Sequence, residues 1–237
     1  AAQTDFSEAG ELELFVNESQ LAFLEDMMAE VGYLDAWQMA ATFQLLRSND
    51  LIWSRLLREY LLGQRQPMSD LMAWNADATR MPARMHSEYL RQIFLEDGIA
   101  EGRYMVGGRS IALRDLHMPI FAVATEWDHI APWRSVYKIN LLADADITFL
   151  LTSGGHNTGI VSPPGGKRRH YRVSTQVRDT PYVDPDKWFS ENSPRDGSWW
   201  VEWVSWLKRN SGEAVVEPRQ PNPAISLCDA PGTYVFE

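Results

Sequence analysis

Apolar positions in the first part of the chain recur at helical spacing. Asn17 precedes a run in which Leu21, Leu24, Met27, Met28 and Val31 share one face, and Gly32 follows it. A polar cap, a 3.6-residue period and a closing glycine predict a first helix. Ser48-Asn49-Asp50 opens a second, carrying Leu51, Ile52, Leu56, Leu57, Tyr60 and Leu61 as far as Gly63. A third, His86 to Glu96, aligns Tyr89, Leu90, Ile93 and Phe94 before Gly98. The first hundred residues thus read as mainly helical.

The period then changes. Arg103-Tyr104-Met105-Val106 and Arg109-Ser110-Ile111 flank Gly107-Gly108, whose access to positive φ predicts a tight hairpin. Pro119 to Thr125 is a continuous apolar run suited to a strand covered on both faces. Pro132 can sit in the first turn of a helix over Ser135 to Leu142, and Ile147 to Leu151 reads as another buried strand. Strand, helix and strand in this order predict a parallel βαβ unit. Ser162 to Pro194, rich in Pro, Gly and charge, reads as a long surface excursion. Trp199, Trp200, Trp203, Val204, Trp206 and Leu207 predict an aromatic helix that packs on a sheet, followed by a tail over 212–237.

Composition excludes several function classes. The 237 residues are 45% hydrophobic and 23% charged, an ordinary globular balance for one large domain or one and a half. A net charge of −10 argues against nucleic acid as a partner. With no apolar run of about 18 residues and no basic-then-apolar leader, neither a membrane span nor a signal peptide is expected, and the default compartment is the cytoplasm. The first residue is Ala1 rather than Met, so the chain reads as starting partway into something longer. The lone Cys228 excludes an internal disulfide and a multi-cysteine zinc site. The five histidines show no HExxH-type spacing, so neither metal nor cofactor is expected.

Candidate chemistry lies where loops leave the carboxyl ends of the two predicted parallel strands, because such loops converge on one crevice. Asp128 follows the first strand and His156 the second. An acid and then a histidine, one helix and one strand apart, fit the last two members of a nucleophile–acid–histidine triad in α/β-hydrolase order. Turn-forming aspartates and packed histidines produce the same spacing, which leaves both readings open.

Four segments carry a family resemblance. Asp128-His129-Ile130-Ala131-Pro132-Trp133 is followed by Gly155-His156-Asn157-Thr158-Gly159-Ile160-Val161-Ser162-Pro163-Pro164. Trp74-Asn75-Ala76-Asp77-Ala78-Thr79-Arg80-Met81-Pro82 fits a WNxDxTxxP pattern, and Gly197-Ser198-Trp199-Trp200-Val201-Glu202-Trp203 fits GSWWxxW. Together they resemble the C-terminal part of poly(hydroxyalkanoate) synthases, most like the class I short-chain type.

The resemblance implies an α/β fold, the C-terminal part of an α/β-hydrolase with a mostly helical cap. Its expected divisions are 1–102 (end of a core strand plus cap), 103–211 (second half of the core) and 212–237 (tail). It implies an acyltransferase that polymerises (R)-3-hydroxyacyl-coenzyme A with release of coenzyme A. His156 would be the general base and Asp128 its partner. Substrate contacts are expected at Trp74, Asn75 and Asp77 in the cap and at His129 and Trp133 beside the acid, with capping and packing as the alternative roles. A homodimer at the surface of cytoplasmic polyester granules is also implied. Lys167, Arg168, Arg169, His170 and Arg172 form a basic run that suits either the phosphates of coenzyme A or plain solvation.

The sequence departs from the family at the nucleophile. The expected Gly-x-Cys-x-Gly elbow does not occur, and Cys228 follows the histidine without flanking glycines. It reads as a buried or incidental thiol. The nucleophile is therefore expected upstream of Ala1, with this chain inactive alone and its sheet edge unpaired. An esterase with the same acid and histidine loops, or a non-catalytic cap or dimerisation module, are the competing readings.

Overall fold

The computed structural model describes residues 3–46, 48–65, 67–166, 168–213, 222, 224–229 and 232, except for the side chains of Asp50 and Asn75. The Asn17 side chain accepts the Gln20 N–H at 3.0 Å and starts α1 (Glu18–Ala29). Gly32, at φ +78°, ends it by donating its N–H to the Met28 carbonyl. Then follow β1 (Tyr33–Leu34), α2 (Ala36–Leu46), π-helical turns at Asn49–Trp53 and Leu56–Leu61, α3 (Asp70–Ala76) and β2 (Met81–Pro82). β1 and β2 pair antiparallel, and the Ala83 N–H donates to the Gly32 carbonyl at 3.0 Å. This neck closes residues 35–80 into a helical excursion.

Within the excursion the amphipathic pattern is a poor guide. α2 is apolar on most sides, so no one-sided stripe announces it. The expected second helix is π-helical, and Leu51, Leu56, Leu57, Tyr60 and Leu61 are exposed rather than packed on a core. The third is found as α4 (Ala83–Tyr89), running on into a π-helical turn at Leu90–Leu95. Ile93 there packs with Phe6 and Ala9. Residues 3–9 hold no strand, and Gly10–Phe15 is a 3-10 helix. Phe6 is held instead by its N–H on Asp97 Oδ1 at 2.9 Å and its ring against Phe94.

The hairpin forms as expected from β3 (Tyr104–Val106) and β4 (Arg109–Ile111), with Gly107 and Gly108 at φ +56° and +78°. The main sheet takes β5 (Ile120–Thr125), then α5 (Trp133–Tyr137) and α6 (Ile139–Leu142), then β6 (Ile147–Thr152). β7 (His170–Gln176), α7 (Pro185–Glu191), β8 (Arg195–Asp196) and α8 (Trp200–Asn210) follow. Spatial order is β5-β6-β7-β8, with β5 and β6 parallel and the other neighbours antiparallel. The chain is thus a mixed α/β structure with one parallel pair. β6 is buried along its whole length, whereas β5 is covered only partly until Ala124 and Thr125, so the expected two-sided burial holds for β6 alone.

The sheet's alternation builds two cores. Ala122, Ala124, Phe149 and Leu151 meet Trp133, Val136 and Tyr137 of α5 and Trp188 of α7. The opposite face carries Phe121, Val123, Leu150, Tyr171 and Val173 under Trp199, Trp200 and Ile160. The stretch from Ser162 to Pro194 is therefore not a surface excursion: it contains β7 and α7. β7 escapes a hydrophobicity reading because Arg172 and Ser174 alternate with its apolar residues. Both are used inside, Arg172 over the Phe189 ring at 4.0 Å and Ser174 Oγ accepting Trp188 Nε1–H at 2.6 Å. In α8 only part of the apolar surface faces the sheet, through Trp200 and Trp206, while Val201, Trp203, Val204 and Leu207 are exposed. Cys228 is exposed, which removes the buried-thiol reading; most of the expected tail lies outside the described residues.

Candidate active site

Parallel pairing decides where the two loops meet. Thr125 lies opposite Thr152 in the register, and the ladder continues past both strand ends through Glu126 N–H on the Thr152 carbonyl at 2.9 Å and Trp127 N–H on the Gly154 carbonyl at 3.1 Å. Asp128 and His156, 28 positions apart in sequence, consequently face each other: His156 Nδ1 lies 3.0 and 2.9 Å from the two Asp128 carboxylate oxygens. The Asp128 side chain is fully buried and that of His156 is 36% exposed.

Asp128 does two jobs at once. Its Oδ1 also accepts the Ile130 and Ala131 N–H groups at 2.9 and 2.8 Å, forming the turn into α5, and its Oδ2 accepts the Thr125 hydroxyl at 3.3 Å. Burial alone would raise its carboxyl, but the hydrogen bonds from His156 and from the Ala131 and Ile130 N–H groups outweigh it and hold the group below its ordinary value. A carboxylate kept ionised in this way fixes the imidazole with Nδ1 as donor, so that Nε2 is the ring nitrogen suited to accept a proton.

The loop carrying His156 is braced from the opposite face of the sheet. Trp199 Nε1–H donates to the Gly159 and Ile160 carbonyls, both at 3.2 Å, and Trp200 Nε1–H donates to the Ile160 carbonyl at 3.0 Å. Ser198 Oγ–H donates to the Ser162 carbonyl. The Gly-Ser-Trp-Trp segment therefore holds the histidine loop, a function that helical periodicity alone does not disclose. Trp200→Phe keeps an aromatic ring but trims the indole and deletes one part-buried donor, so it should lower unfolding stability by at least about 1 kcal/mol in urea denaturation. An unchanged midpoint would remove the brace.

The remaining expected residues are distributed differently. His129 is half-buried, and its carbonyl lies over Gly10, where a Cβ would come within 2.7 Å of it. Trp133 is buried in the aromatic core with Tyr137, Trp188 and Phe189, and one edge lines a cleft of about 380 Å³ with Glu126, His170 and Arg172. Trp74 is 63% exposed on α3, and Asp77 is exposed at that helix's C-cap, so neither is buried against the Asp128–His156 pair. The Asn75 side chain lies outside the described residues. The basic run is likewise dispersed: His170 pairs with Glu126, Arg172 stacks on Phe189, and Lys167 is outside the described residues. Among the described residues no three His, Cys, Asp or Glu side chains converge as metal ligands, and no helix is long and apolar enough to cross a membrane.

Fold and site together define an α/β protein with a buried carboxylate and a partly exposed imidazole joined across the ends of two parallel strands. No protein-family model matches the sequence. Curated relatives do match over nearly the whole chain. It is 38% identical over 233 residues to the poly(3-hydroxyalkanoate) polymerase subunit PhaC of Rhizobium meliloti, covering 98% of this chain and 38% of that protein. To the poly(3-hydroxyalkanoate) polymerase of Methylorubrum extorquens it is 40% identical over 235 residues, again 98% and 38%. To poly(3-hydroxyalkanoate) polymerase 2 of Ectopseudomonas oleovorans it is 34% identical over 225 residues, 94% and 40%. The chain is thus similar to poly(3-hydroxyalkanoate) polymerases over nearly its whole length and spans about two fifths of the length of these relatives.

Proposed function

We propose that this stretch supplies the acid–base half of a polyester synthase that polymerises (R)-3-hydroxyacyl-coenzyme A. The observation that carries the reading is the Asp128–His156 contact, found in a chain that matches polymerases over nearly all its length. His156 Nε2 takes the proton of a cysteine thiol contributed by the part of the polymerase outside this stretch. The thiolate attacks the thioester carbonyl, the bond from carbonyl carbon to coenzyme A sulfur breaks, and coenzyme A leaves as a thiol with the proton returned by the imidazolium. The acyl group is then held on the cysteine. In the next step a 3-hydroxyl attacks that thioester while His156 takes the hydroxyl proton, an ester bond forms and the cysteine sulfur is released. Asp128 stabilises the imidazolium formed in each step.

Sheet and cap support the same division of labour. No strand among the described residues pairs with the outer edge of β5, an apolar edge that would invite aggregation if left bare. In this reading strands from elsewhere in the polymerase continue an α/β-hydrolase sheet there. Residues 1–102 would hold the end of a core strand and the helical cap, 103–211 the second half of the core and 212–237 a tail. Trp74, Asn75 and Asp77 would reach substrate from the cap, and His129 and Trp133 from beside the acid. The complete protein would act as a homodimer at polyester granules in the cytoplasm.

Coenzyme A release from 3-hydroxybutyryl-coenzyme A, with thiol detection, tests this reading. The complete polymerase should turn over, and the 237-residue chain alone should not. Turnover by the chain alone would overturn the external nucleophile, and hydrolysis of simple esters without polymer would favour an esterase.

A further inference from the structure

A second carboxylate–imidazole pair stands beside the first and has no part in the proposed steps. Glu126 follows β5 directly, and His170 opens β7. His170 Nε2 lies 3.1 Å from both Glu126 carboxylate oxygens, with the Glu126 side chain 13% exposed and that of His170 38%. The backbone of His170 faces the other loop: its N–H donates to Ser153 Oγ at 3.1 Å, and its carbonyl accepts the Ser153 N–H at 2.9 Å. Glu126 is two residues before Asp128, and Ser153 is three residues before His156. One residue thus grips both loops of the candidate site, one through its ring and the other through its backbone.

We infer that His170 is a positioning residue: anchored by Glu126, it sets the separation between the Asp128 loop and the His156 loop. The inference rests on the reading of Asp128 and His156 as the reacting pair. The physical need is plain, because the two groups ride on separate loops and their contact has to hold to within about 0.5 Å to work as one unit. The backbone bonds from Glu126 and Trp127 tie the loops near the strand ends. A side-chain contact on the same two segments adds to them. The Glu126–His170 pair supplies it in the lining of the cleft, where partial removal from water strengthens it.

The test compares His170→Ala, His170→Gln, Glu126→Ala and the His170→Ala/Glu126→Ala pair, all in the complete polymerase. Turnover of 3-hydroxybutyryl-coenzyme A is the first readout. The second, taken on the same complete protein, is the NMR signal of the His156 Nδ1 proton. His170→Ala and Glu126→Ala should each lower kcat roughly ten- to a hundredfold with KM nearly unchanged, and broaden the His156 signal. His170→Gln, which still presents an N–H to Glu126, should recover most of both. The double variant should lose no more than the worse single one, because the two residues act as a unit. Unchanged kcat and an unchanged His156 signal in either alanine variant would overturn the inference, as would losses that His170→Gln does not repair. If His156→Ala instead keeps full turnover, the proposed reaction fails, while the NMR signal still judges the clamp.

Discussion

Asp128→Asn, placed in a complete polymerase carrying this stretch, is expected to lower turnover about a thousand- to ten-thousandfold with little change in KM. The amide is the same size, and its oxygen can still accept the Ile130 and Ala131 N–H groups that shape the turn. It cannot stabilise an imidazolium. When its NH₂ faces His156 Nδ1, the ring is driven to the tautomer with its proton on Nε2, the nitrogen that has to accept one. The substitution also removes an acid-sensitive contribution to stability. The Asp128 carboxyl is held below its ordinary value, so its contribution is complete above the unfolded value of 3.8 and fades as pH falls through the lower native one. The wild-type chain should therefore lose urea resistance toward acid more steeply than the variant. A variant that keeps a tenth of wild-type turnover would reduce Asp128 to a turn former.

Gly159→Ala should damage the same site from the other side. A Cβ on Gly159 would lie 2.6 Å from Thr125 Cγ2 and 2.9 Å from the Gly155 carbonyl oxygen, closer than real side chains come. Either the loop lifts off the end of β5 or Thr125 moves, and Thr125 donates its hydroxyl to Asp128. Overpacking of this kind costs about 1–3 kcal/mol, and a shift near 1 Å in the histidine loop costs roughly a hundredfold in turnover. Thermal denaturation of the chain and turnover of the complete polymerase measure the two effects. Thr125→Ser removes Cγ2 and keeps the hydroxyl, so in combination it should restore part of both. A melting temperature and turnover equal to wild type would mean that Gly159 tolerates a side chain and that the close approach to Thr125 is unimportant.

Much of this site was legible from local pattern. β5 and β6 stood out as short apolar runs with turn residues after each, and the hairpin from its Gly-Gly pair. The long segment after Ser162 is not legible in this way, because Arg172 and Ser174 look solvent-facing until α7 covers them with Phe189 and Trp188. The helical excursion misleads in the opposite way: Leu51 to Leu61 has the apolar content of a packed helix, yet Leu51, Leu56, Leu57, Tyr60 and Leu61 stay exposed. Apolar content predicts burial only when there is a surface to pack against.

The sequence by itself determined which two loops carry the acid and the imidazole, because adjacent parallel strands deliver their following loops to the same end of a sheet. Tertiary structure alone decided that Asp128 shapes a turn while it holds His156, and that two indoles grip the histidine loop. It also placed His170 across both loops. Those contacts join residues as far as 40 and 44 positions apart, and their partners are backbone carbonyls and a glutamate that no local periodicity marks.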